Sequence, residues 1–251
     1  MSSVTRNIRL SIQYDGTNYH GWQIQSHHDT IQGQLVHALQ IMLKNYPVKC
    51  CGASRTDAGV HALGQVANFH IPADMPLSCT AFYRGLNSLT PDDIIITDVQ
   101  EVSSDFHARF DARAKTYCYQ ILNADHSAIY HQRFSWHIRH PLELSAMRQA
   151  SKCLLGCHDF ASFQASSCGA ETSIRTIFAI HILQSRQLIR LFIKANAYLH
   201  RMVRNIVGTL VGVGIGKILP EDVRDILQGK DRTLAGVTAP AQGLFLVKVS
   251  Y

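Results

Sequence analysis

Ile8, Leu10, Ile12 and Tyr14 alternate with Arg9, Ser11 and Gln13. That is the two-residue period of a strand with one face buried. Thr30 stands just before Ile31, Leu35, Ala38, Leu39 and Met42, whose spacing follows helical turns. A helix capped by Thr30 is therefore predicted. Val48, Cys50, Cys51 and Ala53 read as a second strand, and Val66–His70 as a third. Ile94 to Val102 is a further strand, entered through a turn at Pro91-Asp92-Asp93. The first half thus reads β-α-β-β, with further elements between 76 and 102.

The second half repeats that logic. Thr116 to Leu122 is a predicted strand, and Leu144, Met147, Ala150 and Leu154 mark a helix that Gly156 would stop. Ile177 to Leu183 and Leu188 to Asn196 form two strands joined by Gln184-Ser185-Arg186-Gln187. A helix from about Leu199 to Leu210 follows, with Leu199, Met202, Val203, Ile206, Val207 and Leu210 as its buried stripe. His200, Arg201, Arg204 and Asn205 fall off that stripe. Pro220 opens another helix with Glu221 and Asp222 in its first turn and Gly229 after its end. Gly243 to Tyr251 closes as a strand. Hairpins mixed with helices imply an α+β fold with largely antiparallel sheets. No linker is evident; a soft boundary near Ser104 separates an N-terminal half, 1–104, from a C-terminal half, 105–251.

The 251 residues suffice for a sizeable core, and 46% hydrophobic with 17% charged is ordinary for a globular protein. No run approaches the eighteen or so apolar residues of a membrane span, and the first seven residues lack the apolar core of a signal peptide. A cytoplasmic protein without a membrane partner is expected. The seven cysteines form no paired C-x-x-C units. Cys153, Cys157 and His158 fall short of a structural zinc set, which takes four ligands, so reduced thiols and no metal are expected.

Net charge is +6, but its distribution says more. Between Thr172 and Pro220 there is no Asp or Glu, against Arg175, Arg186, Arg190, Lys194, Arg201, Arg204 and Lys217. A one-signed segment is either a solvated basic face or the footprint of a polyanion, most simply nucleic acid.

Chemistry concentrates in Ser54-Arg55-Thr56-Asp57-Ala58-Gly59-Val60-His61-Ala62. Its flanking strands place the charged pair on a loop, where functional groups gather, and Gly59 permits a turn at positive φ. A carboxylate there serves as nucleophile or base, with Arg55 keeping it ionised and aimed. The alternative is an ordinary surface ion pair. His61 beside it is a weaker candidate for acid–base work. Tyr117 and Tyr119 share one face of a strand, as core tyrosines or as a stacking surface.

These nine residues resemble the signature of the TruA family of tRNA pseudouridine synthases. The likeness continues through Tyr14-Asp15-Gly16-Thr17-Asn18-Tyr19-His20-Gly21-Trp22-Gln23, Leu86-Asn87-Ser88-Leu89 with Pro91-Asp92-Asp93-Ile94, and Phe106-His107-Ala108-Arg109-Phe110. Lys115-Thr116-Tyr117-Cys118-Tyr119, Met202-Val203-Arg204-Asn205-Ile206-Val207-Gly208 and Gly243-Leu244-Phe245-Leu246-Val247 complete it in the family's order. One departure is Ser54, where some members carry glycine.

The resemblance implies two RRM-like (ferredoxin-like) halves joining their sheets, with a central catalytic cleft, and a homodimer. It implies isomerisation of uridine at positions 38, 39 and 40 of the tRNA anticodon stem-loop. Asp57 and Arg55 would be catalytic. Tyr117, Arg204 and Leu244 would hold the base or its nucleotide, and Arg201, Lys194 and His200 the RNA backbone. An isomerisation needs no cofactor, which agrees with the lack of a Walker glycine loop. RNA 2′-hydroxyls would exclude DNA as a partner. Two rivals stand beside this reading: a non-catalytic RNA-binding module, and a hydrolase that releases free base.

Overall fold

The computed structural model describes residues 5–166 and 168–251. The four opening residues, read above for a leader, lie outside the described residues, as does residue 167. The chain divides into two compact units: one runs to Arg113 and takes back Leu246–Tyr251, and the other spans Ala114–Phe245.

The first unit begins with β1 (Thr5–Tyr14), α1 (Ile31–Met42), β2 (Cys51–Gly52), β3 (His61–Pro72), α2 (Cys79–Leu89) and β4 (Ile94–Val102). β1 is central, antiparallel to β3 on one side and β4 on the other, while β2 pairs with β3. This β4-β1-β3-β2 order is the split β-α-β arrangement of ferredoxin-like folds. The alternation foreseen in β1 is the reason for its place: Ile8, Leu10 and Ile12 are buried beneath the helices, with Leu35, Ala38 and Leu39 of α1 and Phe82 and Leu86 of α2. Thr30 caps α1 as expected, its Oγ1 accepting from the Gly33 N–H at 3.2 Å.

On the other face, buried Asn7 and Asn68 hold the Phe106–Phe110 segment. Asn7 donates to the Ser103 and Phe106 carbonyls at 2.9 and 2.8 Å, and Ala108 N–H donates to Asn68 Oδ1 at 2.9 Å. That motif therefore serves as scaffold in this unit. β2 is shorter than the strand read from Val48–Ala53, because Ser54 leaves the backbone ladder. α2 shows no helical apolar period in the sequence, since only Phe82 and Leu86 of its eleven residues are buried.

The second unit comprises β5 (Ala114–Asn123), β6 (Trp136–Ile138), α3 (Leu144–Ser151), β7 (Gly156–Asp159), β8 (Ile174–Ser185), β9 (Leu188–Ala195), α4 (Met202–Gly214) and α5 (Asp222–Gly229). β9 lies between β5 and β8, antiparallel to both. β7 continues beyond β8, and β6 adds to β5 in parallel. With β6, β7 and α5 as additions, the strand–helix–hairpin–helix order repeats that of the first unit. The last strand, β10 (Leu244–Ser250), contributes its first two residues to the second unit and the rest to the first.

Several boundaries differ from those expected: α4 runs on to Gly214, and α5 starts at Asp222, two residues after Pro220. α4 starts at Met202, because Arg201 takes φ 60° as its cap. Gly229 is the last residue of α5, and Lys230 adopts the left-handed turn at φ 52°. Another difference concerns Asn205. Although it falls off the apolar stripe, it is fully buried.

Candidate active-site loop and nucleotide-binding residues

Asp57 sits in the loop between β2 and β3, half-buried, with Arg55 exposed and Thr56 buried between them. The loop is short and tied at several points. Ala53 N–H donates to the Val66 carbonyl at 2.7 Å, closing the β2–β3 ladder. Val60 N–H donates to the Asp57 carbonyl at 3.1 Å, a tight turn in which Gly59 takes φ 75°.

The segment Tyr14–Trp22, at the end of β1, forms the bed of this loop. Trp22 N–H donates to the Thr56 carbonyl at 3.1 Å and Gly59 N–H to the Tyr19 carbonyl at 3.3 Å. Tyr14 Oη and Thr56 Oγ1 are 2.8 Å apart in a buried setting. Gly21, at φ 91°, passes so close that an added Cβ would stand 2.5 Å from the Thr56 carbonyl oxygen and 3.0 Å from the Asp57 carbonyl carbon. Backbone proximity thus makes this glycine a requirement rather than a convenience. Trp22 anchors the bed from below, buried to 1% exposure. Tyr19 donates to Asp93 Oδ1, and Asp15 N–H donates to the Asp93 carbonyl at 2.9 Å. Burial, reinforced by Asp93, raises the Tyr19 phenol above its ordinary range. The separate motifs around Tyr14, Asp57 and Asp93 are therefore one interlocked assembly.

His61 is fully buried at the start of β3. Its Nδ1 lies 3.0 Å from the Gly16 N–H and 3.1 Å from Asp15 Oδ1. That geometry makes it a brace between the loop and its bed.

The remaining sequence-chosen residues lie in the second unit. Tyr117 in β5 is buried, and Tyr198 meets its ring edge-on at 5.0 Å. Tyr198 is itself fixed by donating to the Ile193 and Lys115 carbonyls, 2.7 and 3.1 Å away, and burial raises its phenol well above its usual range. Tyr119, on the same face, is fully buried and donates to the Pro240 carbonyl at 2.7 Å. Leu244 opens β10 and is buried. Lys194 and Arg201 are exposed, and His200 is half-buried, its carbonyl accepting from Ala165 N–H at 2.9 Å.

Arg204 is half-buried, and its Nε donates to the Ala239 carbonyl at 2.7 Å. Asn205 Nδ2 donates to the Phe163 carbonyl at 2.8 Å, while its Oδ1 accepts from Thr238 at 2.7 Å and Arg232 at 3.2 Å. Arg204, Asn205 and Tyr119 together hold the segment that leads into Leu244. Asn205, Tyr14, Thr56 and Gln65 support these residues and are not evident as site residues from the sequence. The available signal was a polar residue inside an apolar run, such as Gln65 and Asn68 within β3.

Two cations of the basic segment are held by hydrogen bonds within the protein. Arg175 donates to the Thr172 and Ile174 carbonyls, and Arg190 to Gln120 Oε1. Among the described residues no group of three or more His, Cys, Asp or Glu side chains could hold a metal ion, and no helix is long and apolar enough to cross a membrane.

Comparison with known proteins adds the context. Residues 10–111 and 150–251 match the family model described as tRNA pseudouridine synthase. Asp57, Arg204 and Leu244 fall within the matched stretches, and Tyr117 between them. The chain is 45% identical to tRNA pseudouridine synthase A of Thermoanaerobacter sp. (strain X514), over 98% of this chain and 100% of that protein. It is 44% identical to the protein of the same name from Acetivibrio thermocellus, over 98% and 100%. With that of Citrifermentans bemidjiense it shares 46% identity over 98% of each chain.

Proposed function

The chain belongs to the tRNA pseudouridine synthase family, an isomerase that converts uridine to pseudouridine in tRNA, and from that premise we propose that it acts at positions 38, 39 and 40 of the anticodon stem-loop with Asp57 as the group that attacks the ribose. The reaction breaks the C1′–N1 bond, turns the uracil, and joins C5 to C1′. The C5 hydrogen leaves as a proton and N1 gains one, so the RNA keeps its mass.

The observation that carries the role of Asp57 is its loop. The backbone on either side of the carboxylate is fastened to the Tyr14–Trp22 bed, with Trp22 on Thr56 and Tyr19 on Gly59. A carboxylate on a rigid loop keeps its aim when substrate arrives, and such pre-orientation accounts for much of a catalyst's advantage. Two routes fit the group. Asp57 attacks C1′ to give a sugar ester, as in retaining glycosidases, or it takes the C2′ proton and yields a glycal. Both need the ionised form.

Arg55, exposed beside Asp57, orients the carboxylate and the nucleotide. Tyr117, stiffened by Tyr198, receives the uracil drawn from its stack. Leu244 packs against the base, and Arg204 holds the nucleotide. Lys194, His200 and Arg201 meet RNA phosphates with salt-sensitive affinity. We further propose a cytoplasmic homodimer, which sedimentation of the purified chain tests.

The test is mapping of modified positions in an unmodified tRNA transcript after incubation with wild type or Asp57→Ala. Pseudouridine at 38, 39 and 40 where these are uridines, and none with the variant despite tRNA binding, is expected. Modification confined to other positions overturns the assignment of sites. An active Asp57→Ala overturns the role of Asp57, and release of free uracil would make the protein a hydrolase.

A further inference from the structure

We infer that Gln65, on β3, is a positioning residue for the reaction: its side-chain amide replaces a strand partner where the chain leaves β2, and so sets the course of the Asp57 loop. The inference rests on the reading of Asp57 given above.

The backbone ladder between β2 and β3 runs through Cys51 opposite Asn68 and Gly52 opposite Ala67, and Ala53 N–H still finds the Val66 carbonyl at 2.7 Å. At the next residue the partner is a side chain. Gln65 Nε2 donates to the Ser54 carbonyl at 2.7 Å, and Gln65 Oε1 accepts from the Ser54 N–H at 3.2 Å. The same oxygen also accepts from Val66 N–H at 3.3 Å. Substituting an amide for a backbone rung lets the chain turn away from β3 while both polar groups of Ser54 stay paired.

The amide is joined to a second clamp. Gln65 Nε2 lies 3.4 Å from Tyr14 Oη, which lies 2.8 Å from Thr56 Oγ1. Ser54 and Thr56, the neighbours of Arg55, are thereby fixed from the same side, and Asp57 is the next residue along. Gln65 is completely buried, at 0% exposure. A buried polar side chain left without partners costs about 1–3 kcal/mol, so its burial calls for these bonds. Its orientation is fixed by chemistry: exchanging O and N would set the NH₂ against the N–H groups of Ser54 and Val66.

A neutral carboxylic acid can both donate and accept as the amide does, whereas a carboxylate can only accept. Gln65→Glu is therefore a switchable test. Protonated, the new side chain reproduces both bonds to Ser54. Ionised, it sets an acceptor against the Ser54 carbonyl and pushes the loop away. Burial favours the neutral form, and rising pH removes it.

The experiment measures kcat and KM for tRNA pseudouridylation from pH 6 to 8.5, well below the melting temperature, for wild type, Gln65→Glu and Asp57→Ala. The expected ratio of Gln65→Glu to wild-type kcat falls from near one at pH 6 to about a hundredth at pH 8.5 with KM unchanged, the loss that a misplacement of about 1 Å brings. A purely structural role would lower thermal stability without a pH-dependent kcat ratio. A ratio constant across pH, or a loss carried by KM, overturns the inference. If Gln65→Glu does not fold, Gln65→Met keeps the length without the bonds; a folded variant with wild-type kcat overturns it equally. If Asp57→Ala remains active, the reading of Asp57 falls and this inference with it. If that variant is inactive and the Gln65 variants behave as wild type, only this inference falls.

Discussion

Gly21→Ala tests the bed beneath the catalytic loop. At φ 91° the backbone of residue 21 occupies a region that side chains rarely adopt, and the new methyl would stand 2.5 Å from the Thr56 carbonyl oxygen, 3.0 Å from the Asp57 carbonyl carbon and 3.2 Å from the Ala58 nitrogen. All three are backbone atoms, so no side chain can swing aside. The loop must retreat by about half an ångström or more in a close-packed setting. That retreat strains the Trp22–Thr56 hydrogen bond, now 3.1 Å. The backbone conformation costs about 1–3 kcal/mol, and losing the hydrogen bond adds about 1 kcal/mol. For a chain of this length each kcal/mol lowers the melting temperature by roughly 2–4 °C. The larger effect falls on chemistry, because the displaced residue is Asp57: a drop in kcat of roughly 10 to 100-fold is expected, with the tRNA dissociation constant little changed. Single-turnover pseudouridylation at saturating enzyme, with filter binding in parallel, separates the two. A stably folded Gly21→Ala with wild-type kcat would refute the argument that this bed aims the carboxylate.

Three further outcomes are expected. Asn205→Ala leaves Phe163, Thr238 and Arg232 without their shared partner and should lower stability by about 3 kcal/mol in urea unfolding; a loss under about 1 kcal/mol would show that water or a neighbour replaces the amide. Burial pushes the Cys50 and Cys118 thiols up to about 12 each, so the folded state keeps them protonated where an unfolded thiol ionises. Their contribution to stability is complete below about pH 8.5 and is lost as pH rises from there towards 12. In native protein at pH 8 a thiol reagent should label exposed Cys157 and spare both, and rapid labelling of Cys50 would contradict the packing. Arg201→Gln should weaken tRNA binding and reduce the slope of log affinity against log salt by about 1; an unchanged slope removes Arg201 from the phosphate contacts.

The fold was legible where one property decided an element. Alternation placed β1, the Pro91-Asp92-Asp93 turn and apolar run gave β4 its observed bounds, and the Thr30 cap opened α1. Elements whose burial depends on distant partners were harder to read. α2 buries two of eleven side chains, and β6 and β7 are too short to show a period. The same holds at the site. The Asp57 signature stands out because charge and glycine cluster in one stretch. Gln65, Tyr14 and Asn205 act through partners 11, 42 and 42 residues away, at Ser54, Thr56 and Phe163. Helical periodicity puts Asn205 off the buried apolar stripe, yet the segment around Thr238 covers it there and gives the amide its partners.

The central claim is that Asp57 drives chemistry at C1′ that ends in a new bond at uracil C5. Release of tritium from tRNA labelled at C5 of uracil reads that bond directly. Asp57→Asn keeps the size of the side chain and removes its charge, so it spares packing and ablates attack. Wild type should release tritium in proportion to the pseudouridine formed, and Asp57→Asn should release none while binding the same tRNA. Release by Asp57→Asn at a rate near that of wild type would contradict the account.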